Sequence, residues 1–296
     1  MNLVVTLVAA DALDPALVAP VVEALGADHA ERLSDSATDI YCEGVPQQAR
    51  AIAREHLGAA AVDVIAQPVA SRQKRLLVSD MDSTLIAQEC IDELAAVHDL
   101  KPRVAAITER AMRGELDFAA ALTERVALLA DIPEASIGGL LDSVITLSPG
   151  AATMVATLKA HGVRTVLVSG GFTQFAGPIA DRLGMDAAFA NRLLIADGVL
   201  TGSVAQPILG ADAKRERLIS ECAALGIEPD AAIALGDGAN DLAMIGVSGL
   251  GLAYRAKPKV AAAADAEIRH ADLTAVLYAL GIRADAFNAP APAKTS

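Results

Sequence analysis

Three apolar runs, each ending in a small-residue or acidic turn and followed by a helical pattern, constrain the fold of this 296-residue chain most strongly. They lie at Leu76–Val78, Thr165–Val168 and Ala232–Leu235. Parallel strands that helices cover on both faces are typically apolar in this way. The pattern therefore predicts an α/β fold with a doubly wound parallel sheet, whose ligands bind at the carboxyl ends of the strands.

Residues 1–70 predict a smaller unit in front of this sheet. Their apolar runs and helical patterns follow the order βαββαβ, which is typical of a ferredoxin-like (ACT-like) α+β domain. Pro68 and the polar residues of Gln67–Lys74 favour a linker at this place. The sheet domain is therefore expected over residues 71–283.

Two further segments have patterns of their own. Between the first and second predicted strands of the sheet, residues 86–146 are helical in pattern, which predicts an inserted helical cap. Residues 284–296 are rich in Ala and Pro, and we expect them to have nothing to bury. We expect this segment to be a flexible tail.

Composition excludes several classes of partner. The chain has 24 Lys plus Arg against 37 Asp plus Glu, a net charge of -13, whereas nucleic-acid binding needs basic patches. Charged residues interrupt every apolar stretch before about 18 residues, so no membrane span is expected. The first residues lack the basic region of a secretory signal, which favours a cytoplasmic chain. The three cysteines are far apart and are interpreted as buried free thiols.

Polar residues that could take part in catalysis or ligand binding follow the predicted strands. The first strand leads into Asp80 and Asp82, whose side chains point the same way if the segment is extended. The second leads to Ser169 and two glycines before a helical pattern, a combination that can bind an anion. The third leads into GDGAND, residues 236–241, whose carboxylates suit Mg²⁺. Lys214 opens a helix, where a cation is unfavourable unless an anion lies nearby.

Each of these signals alone is also compatible with an ordinary turn or an exposed lysine, but their order along the chain is specific. Over roughly residues 74–283 they resemble the four motifs of the haloacid dehalogenase superfamily. The resemblance implies that Asp80 attacks phosphorus to form an aspartyl-phosphate, and that Asp82 protonates the leaving alkoxide. It further implies a Mg²⁺ cofactor held by Asp80, by the backbone carbonyl of Asp82 and by Asp237, with Asp241 steadying its water shell.

The same resemblance implies which residues hold the phosphoryl group. Ser169, the amide of Gly170 and Lys214 would bind its equatorial oxygens, where charge accumulates in the transition state. Asn240 lies close enough in sequence to touch the substrate. Because these motifs recognise only phosphate, the choice of substrate is expected to depend on the cap.

Two charged residues of the cap indicate an amino-acid substrate. Arg125 lies on an apolar helical stripe that begins at Phe118, where a guanidinium either needs an anionic partner or extends its head to solvent. Glu89 follows the first strand closely enough to overhang the site, although it also fits an ordinary helix start. A carboxylate and a guanidinium over a phosphate site complement the zwitterion O-phospho-L-serine.

The cap also resembles that of phosphoserine phosphatases, at Glu89, at Met112–Phe118 and at Arg125. The resemblance implies that Glu89 binds the substrate's amino group, that Arg125 binds its carboxylate, and that Met112 and Phe118 exclude water. The expected reaction is hydrolysis of O-phospho-L-serine to L-serine and phosphate, the last step of serine biosynthesis.

Three alternatives stay open at this point. An acceptor alcohol such as homoserine could take the phosphoryl group in place of water, which would make the protein a phosphotransferase. A looser cap could admit other small phosphomonoesters. Finally, the N-terminal unit could sense an amino acid, or could only stabilise the chain or join it into a homodimer.

Overall fold

The computed structural model describes residues 1–289, apart from the side chain of Met112. The predicted role of Met112 and most of the predicted tail, residues 290–296, therefore lie outside the described residues. Within the described part of the chain, no helix has the length and apolar character needed to cross a membrane.

The N-terminal unit is a four-stranded antiparallel sheet with two helices. Its elements are β1 (Leu3–Ala9), α1 (Pro15–Ala24), β2 (His29–Arg32), β3 (Ala37–Cys42), α2 (Pro46–Leu57) and β4 (Val62–Pro68). The strands lie in the order β2-β3-β1-β4. Val5 and Leu7 of β1 pack with the helices, whereas Val8 joins the core of the second unit. The sheet is therefore covered on both faces, and the predicted βαββαβ order is present.

The second unit contains a six-stranded sheet in which every neighbouring pair is parallel. Its strands are β5 (Leu76–Ser79), β6 (Arg164–Phe172), β7 (Ala187–Asn191), β10 (Ala232–Gly236), β11 (Leu250–Tyr254) and β12 (Ala266–Ile268). They lie in the order β12-β11-β10-β5-β6-β7. The three strands predicted from the sequence are thus the adjacent β10, β5 and β6, and the predicted parallel α/β sheet is confirmed.

Helices surround this sheet and form the predicted cap. The cap helices are α3 (Cys90–Val97), α4 (Lys101–Met112), α5 (Phe118–Ala127) and α6 (Ala135–Ser143). The remaining helices are α7 (Ala151–Ala160), α8 (Thr173–Leu183), α9 (Ala211–Leu225), α10 (Leu242–Ile245), α11 (Pro258–Ala263) and α12 (Ala275–Ala279). A hairpin of β8 (Leu193–Ala196) and β9 (Val199–Val204), which the sequence did not predict, packs against α5.

The segment Gln67–Lys74, where a linker was predicted, is partly buried against the second unit. β4 continues through Pro68, and both Gln67 and Arg72 are buried and donate hydrogen bonds to the carbonyl of Ala279 in the second unit. Arg72 also pairs with the buried Asp39 at 2.7 Å. Polar residues can be buried where they are paired, and here they join the two units.

The packed chain also extends beyond residue 283. A short 3₁₀ helix covers Ala284–Ala286, and the Phe287 ring lies 5.1 Å from the ring of Tyr278. The backbone N–H of Asn288 donates to the hydroxyl of Thr157 at 2.8 Å. The expectation that the tail has nothing to bury was therefore wrong at Phe287.

Candidate active site

The carboxyl ends of β10, β5 and β6 lie side by side and carry the polar residues of the site. Asp80 directly follows β5, and its backbone N–H donates a 2.9 Å hydrogen bond to the carbonyl of Leu235 in β10. Asp237 directly follows β10, and Ser169 lies in β6 on the other side of β5. Residues that are far apart in sequence thus meet at one edge of the sheet.

Lys214 lies in the first turn of α9 and is completely buried. Its Nζ is 2.7 Å from a carboxylate oxygen of Asp80 and 2.7 Å from one of Asp241. Burial alone would lower the pKa of Lys214, but the attraction of the two carboxylates outweighs it and holds the pKa above its usual range. The unfavourable position at a helix start is therefore offset by two anions of the chain itself.

Three carboxylates crowd this site. Asp80, Asp237 and Asp241 each bring an oxygen atom within 4.8 Å of the others. Burial and repulsion from Asp241 raise the pKa of Asp80, and the same two causes raise the pKa of Asp237 to about 6. Crowded carboxylate oxygens are the ligands that a hard divalent cation prefers, because its charge relieves their repulsion. The residues present therefore fit Mg²⁺.

The turn after β10 is shaped by Asp241. Its carboxylate accepts hydrogen bonds from the backbone N–H groups of Asp237 at 3.1 Å and Gly238 at 3.0 Å. Gly236 and Gly238 leave room for this turn, since a Cβ at Gly236 would collide with Asp241 and one at Gly238 with Asn240. Asn240 is half-buried in the 3₁₀ helix of this turn.

Asp82 lies between the sheet and the cap. Its Oδ1 accepts a 3.0 Å hydrogen bond from the backbone N–H of Cys90, the first residue of α3. Partial burial and repulsion from Glu89 raise the pKa of Asp82 to about 7. A Cβ at Gly171 would lie 2.9 Å from Asp82 Oδ2 and 3.1 Å from Ser169 Oγ, so the aspartate and the serine flank the same small space. A carboxyl group with this pKa can both donate and accept a proton near neutral pH.

The Ser169 segment differs from the expected turn. β6 continues through Phe172 and α8 begins at Thr173, because the two glycines extend the strand instead of ending it. Ser169 is buried, and its Oγ accepts a 2.8 Å hydrogen bond from the N–H of Gly171. The helix N-terminus therefore lies beyond the glycines.

Phe118, the first residue of α5, closes over this segment from the cap. A Cβ at Gly170 would lie 3.0 Å from the Phe118 ring, and one at Gly210 would lie 3.4 Å from it. The half-buried ring thus rests on two backbone segments that carry no side chains. This contact covers the Ser169 side of the site against solvent.

Arg125 and Glu89 lie in the cap, and each is close enough to Asp82 to interact with it electrostatically. Glu89 is exposed to solvent. The half-buried Arg125 makes one long hydrogen bond, 3.4 Å from Nε to the carbonyl of Ala121. Partial burial lowers its pKa, although Asp92, Glu89 and Asp82 oppose this effect. No carboxylate of the described residues forms an ion pair with Arg125. Its charge therefore faces nearby carboxylates without contacting them.

The family model of HAD, haloacid dehalogenase-like hydrolase, matches residues 77–246. This range is more than half of the chain and contains every site residue described above. The chain belongs to the haloacid dehalogenase-like hydrolase family.

Relatives of this hydrolase carry a more specific name. It is 46% identical over 205 residues to a phosphoserine phosphatase of Idiomarina loihiensis, with 69% of this chain and 93% of that protein covered. It is 44% identical over 230 residues to phosphoserine phosphatase SerB2 of Mycobacterium tuberculosis, which covers 78% of this chain but only 55% of that protein. The resemblance to phosphoserine phosphatases is confirmed.

A solved structure extends the likeness to both units of the hydrolase. A probable phosphoserine phosphatase from Vibrio cholerae superimposes with a TM-score of 0.78 at 33% identity. The superposition covers 96% of this chain and 88% of that one. The likeness therefore includes the N-terminal unit.

Two hydroxyl groups of the hydrolase site were missed by the sequence analysis. Thr84 is buried, and its Oγ1 donates a 3.4 Å hydrogen bond to Asp237. The hydroxyl of Ser83 donates a 2.7 Å hydrogen bond to Glu89. Ser83 and Thr84 are the next two residues after Asp82. Their position beside a carboxylate pair was the only signal in the sequence for either of them.

Proposed function

We propose that this hydrolase converts O-phospho-L-serine to L-serine and phosphate, as the last step of serine biosynthesis. The observation that carries the proposal is the pair of unmatched charges in the cap. Arg125 has no ion-pair partner among the described residues, and Glu89 has only a neutral hydroxyl as its partner. A half-buried guanidinium gains most from an anionic ligand, and a phosphorylated amino acid brings one group for each charge.

Asp80 acts as the nucleophile. Its Oδ1 accepts hydrogen bonds from Lys214 at 2.7 Å and from the N–H of Met81 at 2.8 Å, which fixes the carboxylate plane. Oδ2 receives no hydrogen bond within the described part of the chain and is available to attack phosphorus. A bond forms from Asp80 to phosphorus while the ester bond to the serine oxygen breaks, and the product is an aspartyl-phosphate.

Asp82 moves the proton in both halves of the reaction. With a pKa of about 7, a substantial fraction of Asp82 is protonated near neutral pH and can protonate the leaving serine oxygen. The resulting carboxylate then accepts a proton from the water that attacks the aspartyl-phosphate. The N–H of Cys90 holds its Oδ1, which leaves Oδ2 for this proton.

Mg²⁺ would be held by the carboxylates of Asp80 and Asp237 and by the backbone carbonyl of Asp82, with Asp241 steadying its water shell. In the described part of the chain no backbone N–H donates to the Asp82 carbonyl, so this oxygen is available as a ligand. When bound, the ion supplies positive charge that screens the repulsion between phosphate and carboxylates.

The phosphoryl oxygens would be bound by Ser169, by the N–H of Gly170 and by Lys214, with Asn240 at the edge of the pocket. Lys214 supports this role because its charge is buried and is aimed at the Asp80 oxygen. Fixed donors of this kind stabilise charge that grows in the transition state.

The cap would select the substrate. Glu89 binds the ammonium group, Arg125 binds the carboxylate, and Phe118 excludes water by covering Gly170. Met112 is proposed for the same role as Phe118. Exclusion of water strengthens charged contacts, and this effect is larger at the half-buried Arg125 than at the exposed Glu89.

The test compares Arg125→Ala with Arg103→Ala, a control at an exposed arginine of the cap helix α4. Arg125→Ala should lower kcat/KM for O-phospho-L-serine about 100-fold, or about 2.7 kcal/mol, and that for p-nitrophenyl phosphate by less than about threefold. Equal losses on both substrates would remove the assignment of Arg125. Loss of phosphoserine without matching phosphate release, in the presence of homoserine, would indicate phosphotransfer.

We propose further that residues 1–70 form a ferredoxin-like (ACT-like) domain and residues 71–283 the phosphatase domain. The βαββαβ order and the strand order β2-β3-β1-β4 support the first assignment. Sensing of serine by this domain is the second role to test, by calorimetry on the full chain with Arg125→Ala to separate it from the active site. Absence of a second binding event at millimolar serine leaves stabilisation or homodimer formation as its role.

A cytoplasmic location also belongs to this proposal. The buried free thiols Cys42, Cys90 and Cys222 are typical of a reducing compartment.

A further inference from the structure

Ser83 has an uncommon backbone conformation next to the catalytic Asp82. Its φ angle is 53°, in the left-handed region that residues other than Gly, Asn and Asp seldom adopt. From this position its hydroxyl donates a 2.7 Å hydrogen bond to Oε1 of Glu89. The N–H of Ser83 also donates to the carbonyl of Gln88 at 3.2 Å, so the loop closes on itself.

Glu89 is the N-cap residue of α3 but does not cap it. An N-cap side chain usually accepts a hydrogen bond from the first turn of its own helix. Here Asp82 accepts the N–H of Cys90 instead, and the Glu89 carboxylate is left to Ser83. No basic side chain of the described residues forms an ion pair with Glu89. Its orientation therefore depends on one neutral donor.

We propose that Ser83 is a positioning residue that makes the enzyme selective for substrates with an ammonium group, by holding Glu89 in its binding orientation. The inference rests on the proposed function of Glu89. A hydroxyl orients the carboxylate without neutralising it, so the full negative charge remains available to the ligand. Oε2 carries no hydrogen bond among the described residues and can accept the ammonium group. A carboxylate ordered before binding loses less conformational entropy when the substrate arrives.

The experiment measures kcat and KM for O-phospho-L-serine and for the phosphate ester of 3-hydroxypropionate, which keeps the carboxylate but lacks the amino group. Ser83→Ala removes the hydroxyl, and Ser83→Gly removes it while also favouring the left-handed backbone. Both variants should lower the preference for phosphoserine about tenfold, mainly through KM, which corresponds to about 1.4 kcal/mol. The control is Ser143→Ala, whose hydroxyl bonds to Gly139 within the cap helix α6, and it should leave the preference unchanged.

A double-mutant cycle with Glu89→Gln tests whether Ser83 acts through Glu89. If it does, Ser83→Ala should reduce the preference little further once Glu89 is Gln. The proposal would be overturned if the two substitutions lowered the preference for phosphoserine additively. It would also be overturned if Ser83→Ala lowered kcat/KM equally for both substrates. Matching melting temperatures of the variants would not rescue it in either case. A wild-type enzyme with no preference for phosphoserine would overturn both this proposal and the proposed substrate, whereas a preference that survives Ser83→Ala would overturn this proposal alone.

Discussion

Single residues decide the electrostatics of the site, and Lys214 is the residue with most influence. It is completely buried between Asp80 and Asp241, so its loss leaves two buried carboxylates without a cation. Breaking a buried charge pair typically costs about 3–5 kcal/mol. We expect Lys214→Met to lower the free energy of unfolding in urea by about 3 kcal/mol or more and to abolish phosphate release.

Lys101→Met is the matched control for this change. Lys101 is exposed and its only ion pair in the described part of the chain is 4.0 Å long, with Glu93. Its replacement should alter stability by less than about 0.5 kcal/mol. Similar losses in the two variants would show that the buried lysine is not held by its carboxylates.

The raised pKa values of Asp237, about 6, and Asp82, about 7, make the stability of the site depend on pH. An unfolded chain releases these protons near pH 3.9, so the folded protein binds protons that the unfolded chain does not. The stabilisation of the folded protein by these protons is fully present below about pH 4 and is lost as the pH rises through 6 to 7.

Mg²⁺ should therefore stabilise the protein more at high pH, because it binds the ionised carboxylates. We expect the rise in Tm on adding Mg²⁺ to be several degrees larger at pH 8 than at pH 5.5, and to disappear at both values in Asp237→Asn. A rise that is independent of pH would contradict the assignment of Asp237 as a ligand.

At the scale of elements, the end of β10 is shaped by a glycine that has no space for a side chain. A Cβ at Gly236 would collide with the Asp241 carboxylate, which also contacts Lys214. We expect Gly236→Ala to displace Asp241, to destabilise the protein by about 1–3 kcal/mol in urea and to weaken Mg²⁺ binding in calorimetry.

Gly139→Ala is the control, because this exposed glycine lies inside α6 and a Cβ there would meet no atom within 4 Å. Alanine is the better helix former, so the free energy of unfolding of this variant should rise by about 0.5–1 kcal/mol. If Gly236→Ala were equally harmless, the turn after β10 would not depend on Asp241.

Sequence patterns could predict the elements that form because of residues close together in the chain. Apolar runs ending in polar turns identified β5, β6 and β10, and parallel strand ends necessarily bring Asp80 and Asp237 together. The hairpin β8–β9 was missed because its pairing is completed by the cap, where Asp131 N–H bonds to the carbonyl of Leu200. The Ser83–Glu89 contact was missed because a serine gives no sign in sequence that its φ is positive.

For the molecule as a whole, the polar contacts between the two units matter most. One is the buried ion pair of Asp39 with Arg72. Another is made by Asp63, whose carboxylate accepts hydrogen bonds from the N–H groups of Arg269–Ala271. These contacts could not be predicted, because polar residues in a connecting segment usually indicate exposure. We therefore expect the N-terminal unit and the second unit to unfold together.

Arg72→Met tests this coupling. It leaves Asp39 buried without its partner. We therefore expect a single transition in urea, with a free energy of unfolding that is about 3–5 kcal/mol lower than in the wild type. The control Arg32→Met breaks the exposed 2.7 Å pair with Asp35 and should cost less than about 1 kcal/mol. Two separate transitions in the wild type, or equal effects of the two variants, would show that the units are independent.

The most direct test of the account as a whole is to trap the phosphoryl group on the protein. O-phospho-L-serine labelled with ³²P is mixed with the enzyme and Mg²⁺, the reaction is stopped with acid within milliseconds, and the labelled peptide is identified. We predict label on Asp80 in the wild type and none on the protein in Asp80→Asn, whose amide cannot replace the attacking carboxylate. Turnover of phosphoserine without labelled protein, or label retained in Asp80→Asn, would contradict the mechanism.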